Sequence, residues 1–153
     1  MGAQICVDAS FILKALVPEA GTDEVLSLLS TWRSDGATLL APTLIEYEVA
    51  SALWKYVFRG LLTPEEGDRA RILFTSLLLN LQSPGVLFSR AWELAEHLGQ
   101  PTLYDTCYLA LSERLVCPFW TADMKFINSV LAASIGYKVT SNPSGVICSL
   151  ARC

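Results

Sequence analysis

Four acidic residues stand in sequence contexts typical of a shared site. Asp8 and Asp123 each directly follow an apolar run that predicts a short β-strand, and Glu48 and Asp105 lie near the starts of predicted helices. In open α/β sheets, ligands bind at the carboxyl ends of the strands. Carboxylates held together there repel one another unless protons or hard cations such as Mg²⁺ or Mn²⁺ compensate. The four residues therefore predict metal-assisted chemistry.

Two of these acids have competing structural explanations. Residues two apart on a helix point roughly 200° apart, so Glu46 and Glu48 cannot both face one site. Glu46 fits a capping box that begins at Thr43, whereas Glu48 lies among apolar residues and needs a partner. We therefore expect Glu48 to be the functional acid. Asp105 also fits a capping box, in a helix opened by Thr102, and the local sequence leaves both roles open.

Short hydroxyl side chains lie close to the two acids that follow strands. Ser10 comes two residues after Asp8, and Thr121 comes two residues before Asp123. Both hydroxyls are candidates to orient a carboxylate or a metal-bound water. The alternative, for the hydroxyls and for the two Asp residues alike, is a local hydrogen bond within a turn or at a helix start.

Composition limits the class of protein. The 153 residues, of which 52% are hydrophobic and 17% charged, predict one globular domain spanning residues 1–153. Five Cys residues without a CxxC pair, and a single His, argue against a zinc site and predict reduced thiols in a soluble, cytoplasmic protein. The net charge of −4 does not exclude a nucleic-acid substrate, because two bound divalent cations would neutralise it.

Alternating strand and helix patterns predict an α/β fold with a short, mostly parallel sheet and more helix than strand. No internal repeat or linker interrupts them. The predicted strands are 4–7, 38–41 and 118–121, with 137–140 and 146–150 as possible edge strands. The predicted helices are 11–16, 22–34, 43–59, 64–79, 87–98, 101–115 and 124–134.

Several other metal or phosphate motifs are absent from the sequence. It contains no GxxxxGK[ST] loop, HExxH pair or EF-hand loop. The segment that begins at Asp8 lacks the second Asp of the DxD motif of haloacid-dehalogenase-like phosphatases. Receiver domains usually carry an adjacent acidic pair near the first strand, and here Val7 precedes Asp8. Both alternative acid-pocket families are therefore disfavoured.

Four segments, in order along the chain, resemble the motifs of the PIN domain, specifically the VapC-type ribonuclease toxins of prokaryotic toxin–antitoxin pairs. Each segment contains one of the four acids, and Ser51 stands where the family commonly has Asn. The matching segments are Val7-Asp8-Ala9-Ser10-Phe11-Ile12-Leu13-Lys14, Tyr47-Glu48-Val49-Ala50-Ser51-Ala52-Leu53, Leu103-Tyr104-Asp105-Thr106-Cys107-Tyr108-Leu109-Ala110-Leu111 and Trp120-Thr121-Ala122-Asp123-Met124-Lys125-Phe126.

The resemblance implies a three-layer α/β/α fold and a metal-dependent endoribonuclease. In such a protein Asp8, Glu48, Asp105 and Asp123 would be the catalytic residues and would hold one or two Mg²⁺ or Mn²⁺ ions, directly or through water. The resemblance also implies RNA as substrate, an antitoxin protein as partner, and a homodimer. The alternative function is a PIN-like RNA-binding or interaction module without useful turnover.

A net-acidic protein needs local positive charge to hold RNA. Lys14 lies six residues after Asp8, and Lys125 lies two residues after Asp123. We therefore expect these two lysines to contact the phosphates next to the cleaved bond. Ordinary surface charge is the alternative role for both.

Overall fold

One mixed β-sheet organises the protein. The computed structural model describes residues 2–143, 145 and 147–153. Within that part of the chain, six strands lie in the order β3-β2-β1-β4-β6-β5. The first four of these are parallel, whereas β6 runs antiparallel to β4 and β5 antiparallel to β6. The strands are β1 (Gln4–Val7), β2 (Thr38–Pro42), β3 (Asn80–Gln82), β4 (Phe119–Thr121), β5 (Tyr137–Ser141) and β6 (Cys148–Arg152).

Helices cover both faces of this sheet. Helices α1 to α4 contact one another, and α5 contacts both α6 and α7, so the helices form two groups around the strands. The expected three-layer, helix-rich α/β fold is confirmed. The helices are α1 (Ala9–Leu16), α2 (Thr22–Ser34), α3 (Leu44–Phe58), α4 (Pro64–Ser76), α5 (Phe88–Leu98), α6 (Tyr104–Leu115) and α7 (Met124–Ala133), with a short 3-10 helix at Pro84–Leu87.

The candidate site lies where the strand order reverses. Strand β1 pairs with β2 on one side and with β4 on the other, and Val7 is in register with Trp120. The backbone N–H of Asp8 donates to the carbonyl of Trp120 at 3.2 Å. The chain therefore leaves β1 and β4 at neighbouring points, and side chains that follow the two strands meet in the crevice expected at such a switch point.

Helix α6 is the central helix of the core. Its residues 106–112 are all buried, and the helix contacts β1, β2, β4 and α5. A helix that is apolar on most sides must be enclosed, which fixes its rotation and its depth. Its first turn is consequently held close to the carboxyl ends of β1 and β4.

No helix among the described residues is long and apolar enough to cross a membrane.

Two strands differ from the sequence predictions. Strand β3 was not predicted, because its three residues are too few to show the alternation of apolar and polar residues that indicates a strand. The structure identifies it as a strand by its parallel pairing with β2. The segment predicted as an edge strand at 146–150 forms β6, which lies between β4 and β5. Val146 itself lies outside the described residues.

An ion-pair network around Glu113 joins the C-terminal β-hairpin to the helices. The Glu113 side chain, 8% exposed, accepts two hydrogen bonds from Arg90, at 2.6 and 3.0 Å. Arg152 lies 3.5 Å away, and the Tyr137 hydroxyl donates to the same carboxylate. The two guanidinium groups and the phenol hold the pKa of Glu113 below its ordinary value despite its burial. The network therefore joins α5, α6, β5 and β6.

We expect Glu113→Gln to lower the free energy of unfolding at pH 7 by about 1–2 kcal/mol. The loss is smaller than for a fully buried hydrogen bond between charged groups, because Arg90 is partly exposed and water screens its charge. A lowered pKa means that the stabilisation is present above the ordinary glutamate pKa of 4.5 and is lost as the pH falls below it. The difference between the two proteins should therefore shrink in acid. Urea denaturation measures it.

The matched control is Glu96→Gln, which removes the same charge from an exposed position on α5 that forms no ion pair among the described residues. Surface changes of this kind stay within about 0.5 kcal/mol. Equal destabilisation by both variants would mean that the Glu113 network adds nothing specific.

Candidate functional site

Asp8 is the most enclosed acid of the site. Its side chain caps the N-terminus of α1 by accepting from the backbone N–H of Phe11 at 2.9 Å. The same oxygen, Oδ1, accepts from the Ser10 hydroxyl at 2.7 Å, and Oδ2 accepts from Thr121 at 2.5 Å. Helix capping and a place in the site, which the sequence left as alternatives, are thus compatible roles for this residue.

The chemistry of Asp8 is set by burial. The residue is 3% exposed, and burial raises its pKa to about 6 although three hydrogen bonds favour the charged form. A carboxylate has about four acceptor positions, of which these donors fill three. One acceptor position on Oδ2 therefore has no donor among the described residues.

The two hydroxyls connect Asp8 to the segment that follows β4. Ser10 and Thr121 lie 3.2 Å apart and both donate to Asp8. Ser10 also accepts from the backbone N–H of Ala122 at 2.9 Å, and Thr121 accepts from that of Asp123 at 3.0 Å. Asp123 in turn caps α7 by accepting from the N–H of Phe126 at 3.0 Å. The hydroxyls therefore hold the ends of both strands in fixed positions around one carboxylate.

Glu48, rather than Glu46, turns toward the other acids. Its Oε1 accepts from the hydroxyl of Tyr108 at 2.6 Å, whereas Glu46 is exposed. The capping box predicted for Glu46 is wrong, because Thr43 has helical backbone angles and makes no side-chain cap bond. Burial raises the pKa of Glu48, the Tyr108 bond opposes that rise, and the Asp105 charge adds to it.

Tyr108 was not singled out by the sequence predictions. It lies three residues after Asp105 on α6, a spacing that places both side chains on one helical face and could have indicated it. Burial, reinforced by the Glu48 carboxylate, raises the pKa of Tyr108 far above its ordinary value. The phenol is therefore protonated and donates to Glu48.

The capping role that the local sequence left open for Asp105 does not occur. Helix α6 begins at Tyr104, and its cap residue is Leu103, which makes no side-chain bond. No described residue donates a hydrogen bond to the Asp105 carboxylate. Burial, with the charges of Asp8 and Asp123, raises its pKa to about 7. The other three acids each accept at least one hydrogen bond from a described residue, so the Asp105 carboxylate is the one whose oxygens are not engaged in this way.

Electrostatic interactions link all four acids. Asp105 interacts with Asp8, Asp123 and Glu48, and Asp8 also interacts with Glu48. None of the ion pairs within the described residues involves any of the four. The cluster therefore gathers negative charge without a compensating cationic side chain, a donor set suited to a hard divalent ion.

The carboxylates do not form a closed ligand cage. Within residues 2–143, 145 and 147–153, no three Asp, Glu, His or Cys side chains lie close enough to hold one ion together. Mg²⁺ commonly keeps several waters and takes only one or two protein carboxylates, so an open arrangement fits this ion better than a full cage.

The two predicted RNA-binding lysines have different surroundings. The Lys14 ammonium donates to the carbonyl of Ala20 at 2.9 Å and lies 3.7 Å from Glu19, so its charge fixes the loop after α1. Lys125 is exposed near the start of α7 and forms no ion pair within the described segments. RNA contact stays a prediction for both residues, and Lys125 is the freer of the two.

Comparison with known proteins gives consistent relatives. The chain is 31% identical over 121 residues to VapC ribonuclease Mb0985 of Mycobacterium bovis and to Ribonuclease VapC9 of Mycobacterium tuberculosis, which covers 79% of this chain and 87% of each relative. It is 31% identical over 122 residues to Ribonuclease VapC3 of Pyrobaculum aerophilum, covering 78% and 89%. No family model matches the chain.

We expect the metal-free protein to lose stability as the pH rises from about 5 to about 8. The pKa of Asp105 is raised in the folded state, so its contribution to the free energy of unfolding is fully present below the ordinary pKa of 3.8. That contribution decreases as the pH rises and is lost once the pH passes about 7. Asp105→Asn removes this loss. The melting temperature of the variant in chelator should therefore exceed that of the wild type by a margin that grows with pH.

Glu46→Gln controls for net charge in this experiment, because it removes one exposed acid from α3. Asp105→Asn is a cleaner test than a change at Asp8, where three hydrogen bonds would also be altered. A constant margin between Asp105→Asn and wild type across the pH range would contradict the raised pKa of Asp105.

Proposed function

The chain belongs to the VapC-type family of PIN-domain ribonucleases, and we propose on that basis that it hydrolyses RNA phosphodiesters with one or two Mg²⁺ or Mn²⁺ ions bound at the carboxylate cluster. One observation carries the metal dependence. Four acidic side chains from different segments interact at one end of the sheet, and none of them is ion-paired to another described residue. A bound divalent cation would neutralise that charge and offset the repulsion.

The donor set defines how each residue would hold the ion. Asp105 offers a carboxylate with no hydrogen-bond donor among the described residues, and Asp8 offers its remaining acceptor position. Glu48 and Asp123 each have one oxygen engaged, by Tyr108 and by the start of α7, and can bind through the other or through water. A divalent cation so held supplies charge neutralisation at the phosphate and acidifies a water molecule.

The residues of the chain itself act by positioning. Ser10 and Thr121 keep both oxygens of Asp8 oriented, and the caps of α1 and α7 keep Asp8 and Asp123 at fixed depth. No nucleophile from the protein is required. The one His of the sequence, His97, is exposed at the C-terminal end of α5. This position suits an interaction with the helix dipole rather than a role as a general base.

We further propose a cytoplasmic toxin of the VapBC type, with RNA as substrate and an antitoxin protein as inhibitory partner, by analogy with relatives named VapC. A homodimer is part of this proposal. Exposed apolar side chains on α3 and just after it, namely Trp54, Phe58 and Leu61, offer surface that a partner could cover. Large exposed apolar patches commonly mark protein–protein contacts.

The alternative is a PIN-like RNA-binding module without useful turnover. Both functions predict RNA binding, but only the nuclease predicts product that depends on the metal and on the acids. Cleavage assays therefore separate the two, whereas binding assays do not.

We expect cleavage of single-stranded RNA in Mg²⁺ or Mn²⁺ and none in excess chelator. Asp105→Asn should reduce kcat/KM more than about 100-fold, because even outer partners of metal ligands contribute about 10–100-fold. Gel electrophoresis of end-labelled RNA measures the rate. Glu46→Gln, the matched control on the exposed face of α3, should cleave like the wild type.

Cleavage that continues in chelator, or that survives Asp105→Asn undiminished, would rule out the proposed mechanism. RNA binding with no product under any metal condition would favour the binding module.

We expect Lys125→Ala to weaken RNA binding and to reduce the slope of log K against log salt by about 0.7, the loss of one contact to a single strand. Lys138→Ala removes an exposed lysine from β5, at the far edge of the sheet, and should leave the slope unchanged. Fluorescence anisotropy in Ca²⁺, chosen to suppress cleavage, measures both. An unchanged slope in Lys125→Ala would assign this lysine to ordinary surface.

Lys14→Ala is expected to differ. Since its ammonium already bonds the loop after α1, its removal should lower the melting temperature as well as any RNA affinity. If Lys14→Ala lowered the affinity for RNA without lowering the melting temperature, Lys14 would belong to the RNA-binding surface.

A further inference from the structure

One hydrogen bond connects the central helix to the acid on α3. The Tyr108 hydroxyl, on α6, donates to Glu48 Oε1 at 2.6 Å across 60 residues of sequence. Bonds to a charged acceptor are roughly twice as strong as neutral ones. The position of the Tyr108 hydroxyl therefore restrains the position of the Glu48 carboxylate.

The ring of Tyr108 is rigidly held. It is 0% exposed and stacks on Phe119, with ring centroids 5.9 Å apart and planes at 2°. Phe119 is itself packed against Phe126 at 6.3 Å. Because close-packed aromatic rings in a core have little freedom, the hydroxyl is presented at a fixed point.

Glu48 needs such a restraint. Its side chain is long and only half-buried, and the neighbouring Asp105 charge repels it. The Tyr108 hydroxyl is the one donor to its carboxylate within the described residues. Without that bond the carboxylate could rotate toward water, away from the other acids.

We propose that Tyr108 is a positioning residue, whose hydroxyl holds the Glu48 carboxylate within the acidic cluster and so raises its affinity for a divalent cation. The inference rests on the proposed function, since it concerns the same site. It assigns a role to a hydroxyl whose one hydrogen bond within the described residues is to Glu48. A purely structural hydroxyl would instead affect stability alone.

The test is the Mn²⁺ affinity of Tyr108→Phe, measured by calorimetry or from the spin resonance of free Mn²⁺. This variant keeps the ring and its stacking on Phe119 and removes only the hydroxyl. We expect the Kd for Mn²⁺ to rise about tenfold, as for other groups that orient metal ligands. The kcat for RNA cleavage should fall by a similar factor with KM little changed. The metal-free melting temperature should not fall, because Glu48 is then free to move away from Asp105.

Tyr137→Phe is the matched control. It also removes a phenol hydroxyl that donates to a glutamate, but its partner Glu113 lies eight residues beyond Asp105 on α6, about 12 Å along the helix. We expect Tyr137→Phe to lower the melting temperature and to leave Mn²⁺ affinity unchanged. The two variants should thus have opposite patterns.

A double-mutant cycle with Glu48→Gln identifies the route of the effect. In the Glu48→Gln background there is no charge left to orient, so adding Tyr108→Phe should not weaken Mn²⁺ binding further. Full additivity of the two changes would overturn a route through Glu48.

The results separate this inference from the proposed function. If wild type does not bind Mn²⁺, the metal-dependent function fails. If wild type binds Mn²⁺ and Glu48→Gln weakens it, but Tyr108→Phe binds like wild type, only the role of Tyr108 is overturned. If Glu48→Gln has no effect on binding, the role of Tyr108 is likewise overturned, whereas the other acids remain as ligands.

Discussion

Mutual repulsion among carboxylates is the constraint on which the site depends. Asp8, Glu48, Asp105 and Asp123 interact electrostatically, and none of them forms an ion pair within the part of the chain that the structure describes. Such a group is stable only if neutral donors, bound protons or added cations offset the repulsion. Hydroxyls, backbone N–H groups and a phenol supply part of the compensation. Burial first, and the neighbouring acidic charges second, raise the pKa of Asp8 to about 6 and that of Asp105 to about 7.

The sheet and the central helix bring the acids together. Parallel strands β1 and β4 are neighbours, so the residues after them start helices α1 and α7 side by side, with Asp8 and Asp123 as caps. Helix α6 is enclosed on most sides, which fixes the position of Asp105 at its first turn. The remaining acid, Glu48, has a less rigid support and depends on Tyr108. The ion-pair network around Glu113 joins the other end of α6 to α5, β5 and β6.

The sequence was sufficient for the fold class. It made the four acids candidates, because each has an apolar run before it or a helix start near it, and their catalytic role stays a prediction. Local patterns could not choose between roles that share one signature. Asp8 caps a helix and also joins the cluster. The capping box predicted for Glu46, and the one left open for Asp105, do not form. Contacts across long separations were also inaccessible, such as the bond from Tyr108 to Glu48 and the insertion of β6 between β4 and β5. These depend on packing, which no short window of sequence contains.

A crystal structure with Mn²⁺, using anomalous scattering at the manganese edge, would test the central claim most directly. We predict a peak beside Asp105, with carboxylate oxygens at about 2.0–2.6 Å or joined to the ion through ordered water. The peak should be absent from crystals of Asp105→Asn grown in the same conditions. A Mn²⁺ ion bound elsewhere, or a vacant cluster in a preparation that cleaves RNA in Mn²⁺, would contradict the assignment of these acids to a metal site.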